Sequence, residues 1–349
     1  MADDLTTATL PIPPTVRVRA RPSVVHLALG LYAVAIVVAL FVLGVPTGRQ
    51  MVFAWVFVGL LAASAASPKQ GVKDVIRDWL PLFVVLATYD ELRGVAAHTG
   101  IQPHVFAMLD FDHFIAFGHT PTVWLQQHFF DAQHLRWWDY VLCTVYISHF
   151  IAPIAIAGVL WVRNRVQYRR YAVRIVALSY AAFLTYVVFP AVPPWMASQQ
   201  GHIAATVRTQ KFVWSELGVK SATVVVNGGS NLVNDVAAVP SLHAAFPALI
   251  CLFFWPMVGR RTRVFLVAYV LAMGLALVYG AEHWVFDILL GWIYAAAVMA
   301  VAAWVAKRRA RKLSTVIDLT VDTGPDEPDG ATTVAFETAG SHPAGLSSD

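Results

Sequence analysis

The sequence predicts an all-α fold, a polytopic membrane helical bundle of about eight transmembrane helices. Three observations predict it. The 349-residue chain is 58% hydrophobic, with a mean hydropathy of +0.61. Charged residues make up 13%, about half the ~25% of soluble domains. The apolar residues are gathered in separate runs, most of them near the ~20 residues a helix needs to cross the hydrocarbon core. This composition excludes a soluble domain, and the mild net charge of +4 points to no nucleic-acid partner. Arginine outnumbers lysine, and alanine and valine are abundant, which fits a GC-rich bacterial genome.

Residues 1–23 are polar, with Arg17, Arg19 and Arg21 before the first apolar run. Val24 to Leu43 is too long for the apolar core of a signal peptide and has no prompt small-residue cleavage site, so it reads as a retained first span. Met51 to Ala66 is a shorter second span. Trp79 to about Ala97 is a third, with Tyr89, Asp90, Glu91 and Arg93 at its far end. In the mixed segment 99–136, Thr120-Pro121 is a helix start. Val123, Leu125, Phe129 and Phe130 then suggest an amphipathic interfacial helix. Trp137 to Val162 and Tyr171 to Phe189 are the fourth and fifth spans. A long loop, Pro190 to Ala238, leads to the last three: Val239–Val258, Val264–Tyr279 and Trp284–Ala306. From Ser314 the chain is rich in Asp, Thr, Gly and Pro and reads as a disordered tail. Cys143 and Cys251 fall inside spans and read as small core residues rather than a disulfide.

Charge orients the bundle. With the N-terminus inside, the cytoplasmic segments carry 19 of the 25 basic residues, including Arg163 to Arg174, Arg260 to Arg263 and Lys307 to Lys312. Arg49, Arg93, Arg136, Arg208, Lys211 and Lys220 are left outside. Both termini are then cytoplasmic. The 99–136 segment, the 190–238 loop, His243 and His283 all fall at the extracytoplasmic surface of a plasma-membrane protein.

Two stretches at that surface carry chemistry. In Glu282-His283-Trp284-Val285-Phe286-Asp287, His283 and Asp287 are four apart, so a helix puts them on one face. A carboxylate there accepts the Nδ1–H of the imidazole and leaves Nε2 unprotonated and nucleophilic. Asp287 lies about one turn into a membrane helix, where an unpaired carboxylate is costly and usually functional. In Val239-Pro240-Ser241-Leu242-His243-Ala244-Ala245, Ser241 and His243 occupy the first turn of the sixth span. Free backbone N–H groups there favour an anion, and the Ser241 hydroxyl adds a donor. Pro247 removes the usual helical partner of the His243 carbonyl. Six histidines, His98, His104, His113, His119, His128 and His134, crowd the outer segment without HxxxH or HExxH spacing, so no metal site is expected. No cofactor is indicated.

PSLH followed forty residues later by HWxxD resembles the type 2 phosphatidic acid phosphatase superfamily, whose members include lipid phosphate phosphatases and vanadium haloperoxidases. The closer resemblance is to the branch containing inositol phosphorylceramide synthase. It rests on PSLHAA in place of PSGH, on His-aromatic-x-x-Asp as the last motif, and on Phe189-Pro190-Ala191-Val192-Pro193-Pro194-Trp195 before the long loop. It covers roughly residues 75–306. This implies a six-helix catalytic domain preceded by two accessory helices (24–74) and followed by a cytoplasmic tail (307–349).

The resemblance implies roles. His283 attacks phosphorus in line and forms a phosphohistidine, Asp287 orients it, and His243 protonates the leaving oxygen and then serves as base. Ser241 holds the phosphoryl oxygens, with Pro194 and Trp195 at the substrate. The phosphatase pattern also has a Ser-Arg pair six to seven residues before the nucleophile, where this chain has Ala276 and Leu277, and a Lys-x6-Arg-Pro motif that is absent. The phosphate must find other cations, and Arg93, Arg208 and Lys211 are the candidates. The expected function is transfer of a phospho-headgroup, phosphoinositol being one example, from a donor lipid to an alcohol or lipid acceptor. Hydrolysis of lipid phosphates or polyprenyl diphosphates is the alternative. A non-catalytic lipid-binding protein is a second.

Overall fold

The computed structural model describes residues 22–43, 49–65, 68–96, 100–217 and 235–322. The chain is a helical membrane bundle. Its long helices are α1 (Pro22–Leu43), α2 (Arg49–Ala63), α3 (Pro68–Ala96), α6 (Trp137–Arg163), α7 (Arg165–Val188), α10 (Leu242–Phe254), α11 (Arg260–Tyr279) and α12 (Val285–Asp322). Among the described residues, four short helices lie between them: α4 (Phe106–Ile115), α5 (Pro121–Phe129), α8 (Pro194–Gln199) and α9 (Thr209–Glu216). Among the described residues, four stretches, Trp137–Arg163, Arg165–Val188, Arg260–Tyr279 and Val285–Arg311, are long and apolar enough to cross a bilayer. Val24–Leu40, Met51–Ala63 and Leu242–Met257 are shorter apolar helices.

Local chemistry sets the turns. The Asn164 side chain accepts from the N–H groups of Val166 and Gln167, both at 3.1 Å, so it caps α7 and separates it from α6. Ser241 caps α10 in the same way, accepting from the Ala244 N–H at 3.2 Å. A 3₁₀ turn at Trp255–Met257 closes α10, with Pro256 unable to continue the ladder.

α3 is broader than the span expected from Trp79. It starts at Pro68, and Asp78, further along, is anchored rather than solvated. Asp78 accepts from the Trp161 indole N–H at 3.0 Å and from the Arg165 guanidinium at 2.5 Å. The Tyr168 hydroxyl donates to the Asp78 carbonyl at 2.8 Å. This cluster ties α3 to the α6–α7 turn. The main apolar core joins α2, α3, α6, α7 and α10, with Leu86, Tyr171, Leu178, Ala182 and Leu249 buried in it.

The connections put the two ends of the bundle to different uses. The α6–α7 turn and the start of α11 carry Arg163, Arg165, Arg169, Arg170, Arg260, Arg261 and Arg263. The starts of α6, α10 and α12 and the ends of α7 and α11 meet at the other end, with the four short helices. Residues 190–192 and 236–237 are held there. The His104 N–H donates to the Pro190 carbonyl at 2.8 Å, the Val192 N–H to the His104 carbonyl at 2.9 Å and the Ala191 N–H to the Val236 carbonyl at 2.7 Å. α5 turns Thr122 and Gln126 inward and leaves Trp124 and Phe129 exposed, the pattern of an interfacial helix.

Beyond Ala302 the chain forms a second unit, in which α12 continues to Asp322, past the expected start of the tail at Ser314. The Lys- and Arg-rich stretch 307–312 contains no helix breaker, so the helix propagates through it. The N-terminal segment up to residue 21 and the tail beyond residue 322 lie outside the described residues.

Candidate active site

Two helix starts build the site. His283 precedes α12, and its Nδ1 lies 3.2 Å from Asp287 Oδ2. Asp287 is fully buried, and the same oxygen accepts the Trp284 N–H at 3.0 Å. The Trp284 indole N–H donates in turn to the Val192 carbonyl at 2.7 Å. The carboxylate is thus fixed before any substrate arrives, and it favours the His283 tautomer that carries the proton on Nδ1. On the other side of the ring, His283 Nε2 lies 3.3 Å from His243 Nδ1. His243, His283 and Asp287 form one contiguous chain of side chains.

The two helices are joined by backbone as well. The Ser241 N–H donates to the Asp287 carbonyl at 3.0 Å. At Gly291, one turn further along α12, an added Cβ would collide with the Ser241 carbonyl oxygen. Glycine lets α12 lie directly on the start of α10. Ser241 itself is fully buried, with its side-chain oxygen engaged in the helix cap.

Among the candidate cations, Arg208 is joined to the site. It makes a fork-to-fork pair with Glu282, Nε to Oε1 at 2.8 Å and Nη2 to Oε2 at 2.9 Å, one residue before His283. Burial works against the Arg208 charge, but Glu282 outweighs it and holds the guanidinium more firmly protonated than usual. The guanidinium also lies 5.2 Å from the centre of the Trp195 ring and hydrogen-bonds Tyr146. Tyr146 stacks on His243 at 5.3 Å with the planes 11° apart, which completes a path from Arg208 to the histidines. The Pro193-Pro194-Trp195 turn comes to the same place, because the Trp195 N–H donates to the Ala281 carbonyl at 3.0 Å and Pro194 is buried at the start of α8. Lys211 is exposed on α9 and touches this group only through its backbone N–H, which donates to the Arg208 carbonyl at 3.1 Å. Arg93 belongs to the last turn of α3, and its side chain lies outside the described residues.

Three further residues were not among the expected site residues. Asp112, on α4, is fully buried and accepts the N–H groups of Phe286 and Val285 at 3.1 Å each. It caps the helix that follows His283. Burial raises its pKa to about 7, and the Asp287 charge adds to the rise, while the two amide hydrogen bonds oppose it. His149, on α6, packs its ring 4.0 Å from that of His243. Glu282 is the third. The outer-segment histidines are spread over separate partners: His104 stacks on Phe189, His113 reaches Thr120 at 2.9 Å, and His134 reaches Asp131 at 3.2 Å. Among the described residues, no three His, Cys, Asp or Glu side chains converge as a metal-ligand set.

This is a multi-pass membrane protein with two histidines and a carboxylate converging at one end of its bundle. The family model described as the PAP2 superfamily matches residues 107–317, more than half of the chain, and the chain belongs to that superfamily. It is also 24% identical over 235 residues to the phosphoinositol dihydroceramide synthase of Bacteroides thetaiotaomicron, which covers 61% of this chain and 71% of the relative. No solved structure matches. Membership and relative together support an enzyme of phosphoryl transfer or phosphate-ester hydrolysis on membrane lipids.

Proposed function

We propose that the protein is a phosphotransferase that moves a phospho-headgroup from a donor lipid to an alcohol or lipid acceptor at the extracytoplasmic face, through a phosphohistidine on His283. The observation that carries this reading is the hydrogen-bonded chain His243–His283–Asp287, at 3.3 and 3.2 Å. The Nδ1–H of His283 donates to Asp287, and Nε2 keeps its lone pair. Substrate entry breaks the contact between the two imidazoles and turns both toward phosphorus. His283 Nε2 forms the P–N bond as the bond to the leaving oxygen breaks, and that oxygen takes a proton from His243. In the second half the acceptor O–H gives its proton to His243, its oxygen attacks phosphorus, and the P–N bond breaks. Arg208, the Ser241 hydroxyl and the first N–H groups of α10 stabilise the phosphoryl oxygens. Trp195 lines the approach.

The relative's name, phosphoinositol dihydroceramide synthase, supports transfer over hydrolysis and a lipid acceptor. The proposed catalytic domain is 75–306, with both termini cytoplasmic. The test gives purified protein in liposomes labelled anionic phospholipids and prenyl phosphates, with and without lipid or polyol acceptors, beside His283→Ala. New phospholipid that requires the acceptor and disappears in the variant is expected. Phosphate release indifferent to acceptor would make the protein a phosphatase.

A further inference from the structure

We infer that three side chains of α6, Tyr146, His149 and Phe150, form an aromatic clamp that positions the His243 imidazole as the acid of the first transfer step. The inference rests on the phosphotransfer reading above. His283 is oriented by the Asp287 carboxylate. His243 is bordered by rings. Tyr146 lies 5.3 Å from it with the planes 11° apart, His149 lies 4.0 Å away at 33°, and Phe150 lies 5.6 Å away at 79°, edge to face. Their spacing of i, i+3 and i+4 puts all three on one face of α6. They also brace one another. Phe150 stands edge to face with Tyr146 at 5.8 Å and with His149 at 5.1 Å. From α10 itself, Phe246 stacks on His149 at 5.4 Å.

A near-parallel stack lets a ring turn within its own plane and resists tipping out of it, and an edge-on neighbour limits how far it slides. His243 needs both that freedom and that limit. Its Nδ1 faces His283 Nε2 at 3.3 Å before substrate arrives. It must then turn and deliver a proton to the leaving oxygen. Misplacing a reacting group by about 1 Å can cost about 10²-fold in rate. The clamp acts through His243, so its members are positioning residues, and they bear on one event, proton delivery to the leaving group. An alkoxide departs poorly without that proton, whereas 4-nitrophenolate, a weak base, departs without it.

That difference separates positioning from a purely structural role. Two donors with one headgroup are compared: phosphatidylinositol, which must expel a diacylglycerol alkoxide, and 4-nitrophenyl inositol phosphate. Full-length protein in nanodiscs is mixed with each. Labelling of His283 by the first and the nitrophenolate burst from the second are followed in the wild type, Tyr146→Leu, His149→Leu, Phe150→Leu, Tyr146→Phe and His243→Ala. The leucine variants should label at least about tenfold more slowly from phosphatidylinositol, with the burst changed less than about threefold. The burst also shows that each variant is folded. Tyr146→Phe keeps the ring and should keep the ratio of the two rates, while loss of the Arg208 contact raises KM. His243→Ala should show the leucine pattern at about 10²-fold or more. Equal losses on both donors in the leucine variants overturn the clamp and leave the transfer reading standing. A His243→Ala variant that treats both donors alike removes the acid, and the clamp with it. A measurement without substrate completes the test. The His243 ring-proton resonances, assigned by their loss in His243→Ala, should move downfield in Tyr146→Leu, where the stack is gone, and stay in place in Tyr146→Phe. Resonances unmoved in Tyr146→Leu overturn the clamp whatever donor the protein prefers.

Discussion

Asp112 offers a quantitative test of how the α12 start is held. The carboxyl is fully buried, joins two amide N–H groups at 3.1 Å, and has its pKa raised to about 7. In the unfolded chain it titrates near 3.8. The folded state therefore binds its proton more tightly. The stability this contributes is fully present below pH 3.8 and is lost as pH rises through about 7. Between pH 5 and 8 that loss is roughly 3 kcal/mol, because each pH unit below the raised pKa is worth about 1.4 kcal/mol. Asp112→Asn removes the titration and keeps one acceptor oxygen. The assay is apparent melting in detergent, read by a thiol-reactive dye that reaches the buried Cys143 and Cys251 only on unfolding. Other groups titrate in the same window, so the informative quantity is the difference between the two proteins. The wild type should lose about 5 °C more than Asp112→Asn over that range. Asp112→Ala, which strands two buried N–H groups, should be destabilised by about 2–4 kcal/mol near neutral pH. Parallel melting curves for the wild type and Asp112→Asn would refute the reasoning.

Three further outcomes are expected. Transfer activity should fall at least about 10³-fold in His283→Ala and about 10²-fold or more in Asp287→Asn, with acid-labile label on His283 absent from the first. Gly291→Ala drives a methyl group onto the Ser241 carbonyl, so it should cost about 1–3 kcal/mol in the thiol-dye melt and lower kcat as α10 and α12 are pushed apart. For orientation, a cysteine at Gln133 should label from outside intact cells and one at Arg261 should not. The reverse pattern would move the site to the cytoplasm.

What the sequence discloses and what it conceals follow from distance along the chain. His283 and Asp287 are legible because a helix makes four residues one face, and His243 because a Pro-Ser cap announces a helix start. The bundle is legible because lipid demands uninterrupted apolar runs. Asp112 is not, since its partner Val285 lies 173 residues away and nothing local distinguishes it from a solvated loop carboxylate. The charged start of α3 hides its true first turn, because Lys69, Lys73, Asp74 and Arg77 mask a helix whose Asp78 is satisfied by Trp161 and Arg165. Arg208 is visible only as one of several outer cations. What sets it apart from Lys211 is the Glu282 carboxylate 74 positions later.

The direct backbone hitch between α10 and α12 has a mechanical consequence. With the Ser241 N–H on the Asp287 carbonyl and no side chain at Gly291 to hold the helices apart, the two histidines ride on a single rigid block. Such a block cannot open like a jaw to exchange one large lipid for another. On the proposed phosphotransfer reading, adjustment to a different lipid falls to groups that border the block, Trp195 on α8 and Arg208 at the start of α9.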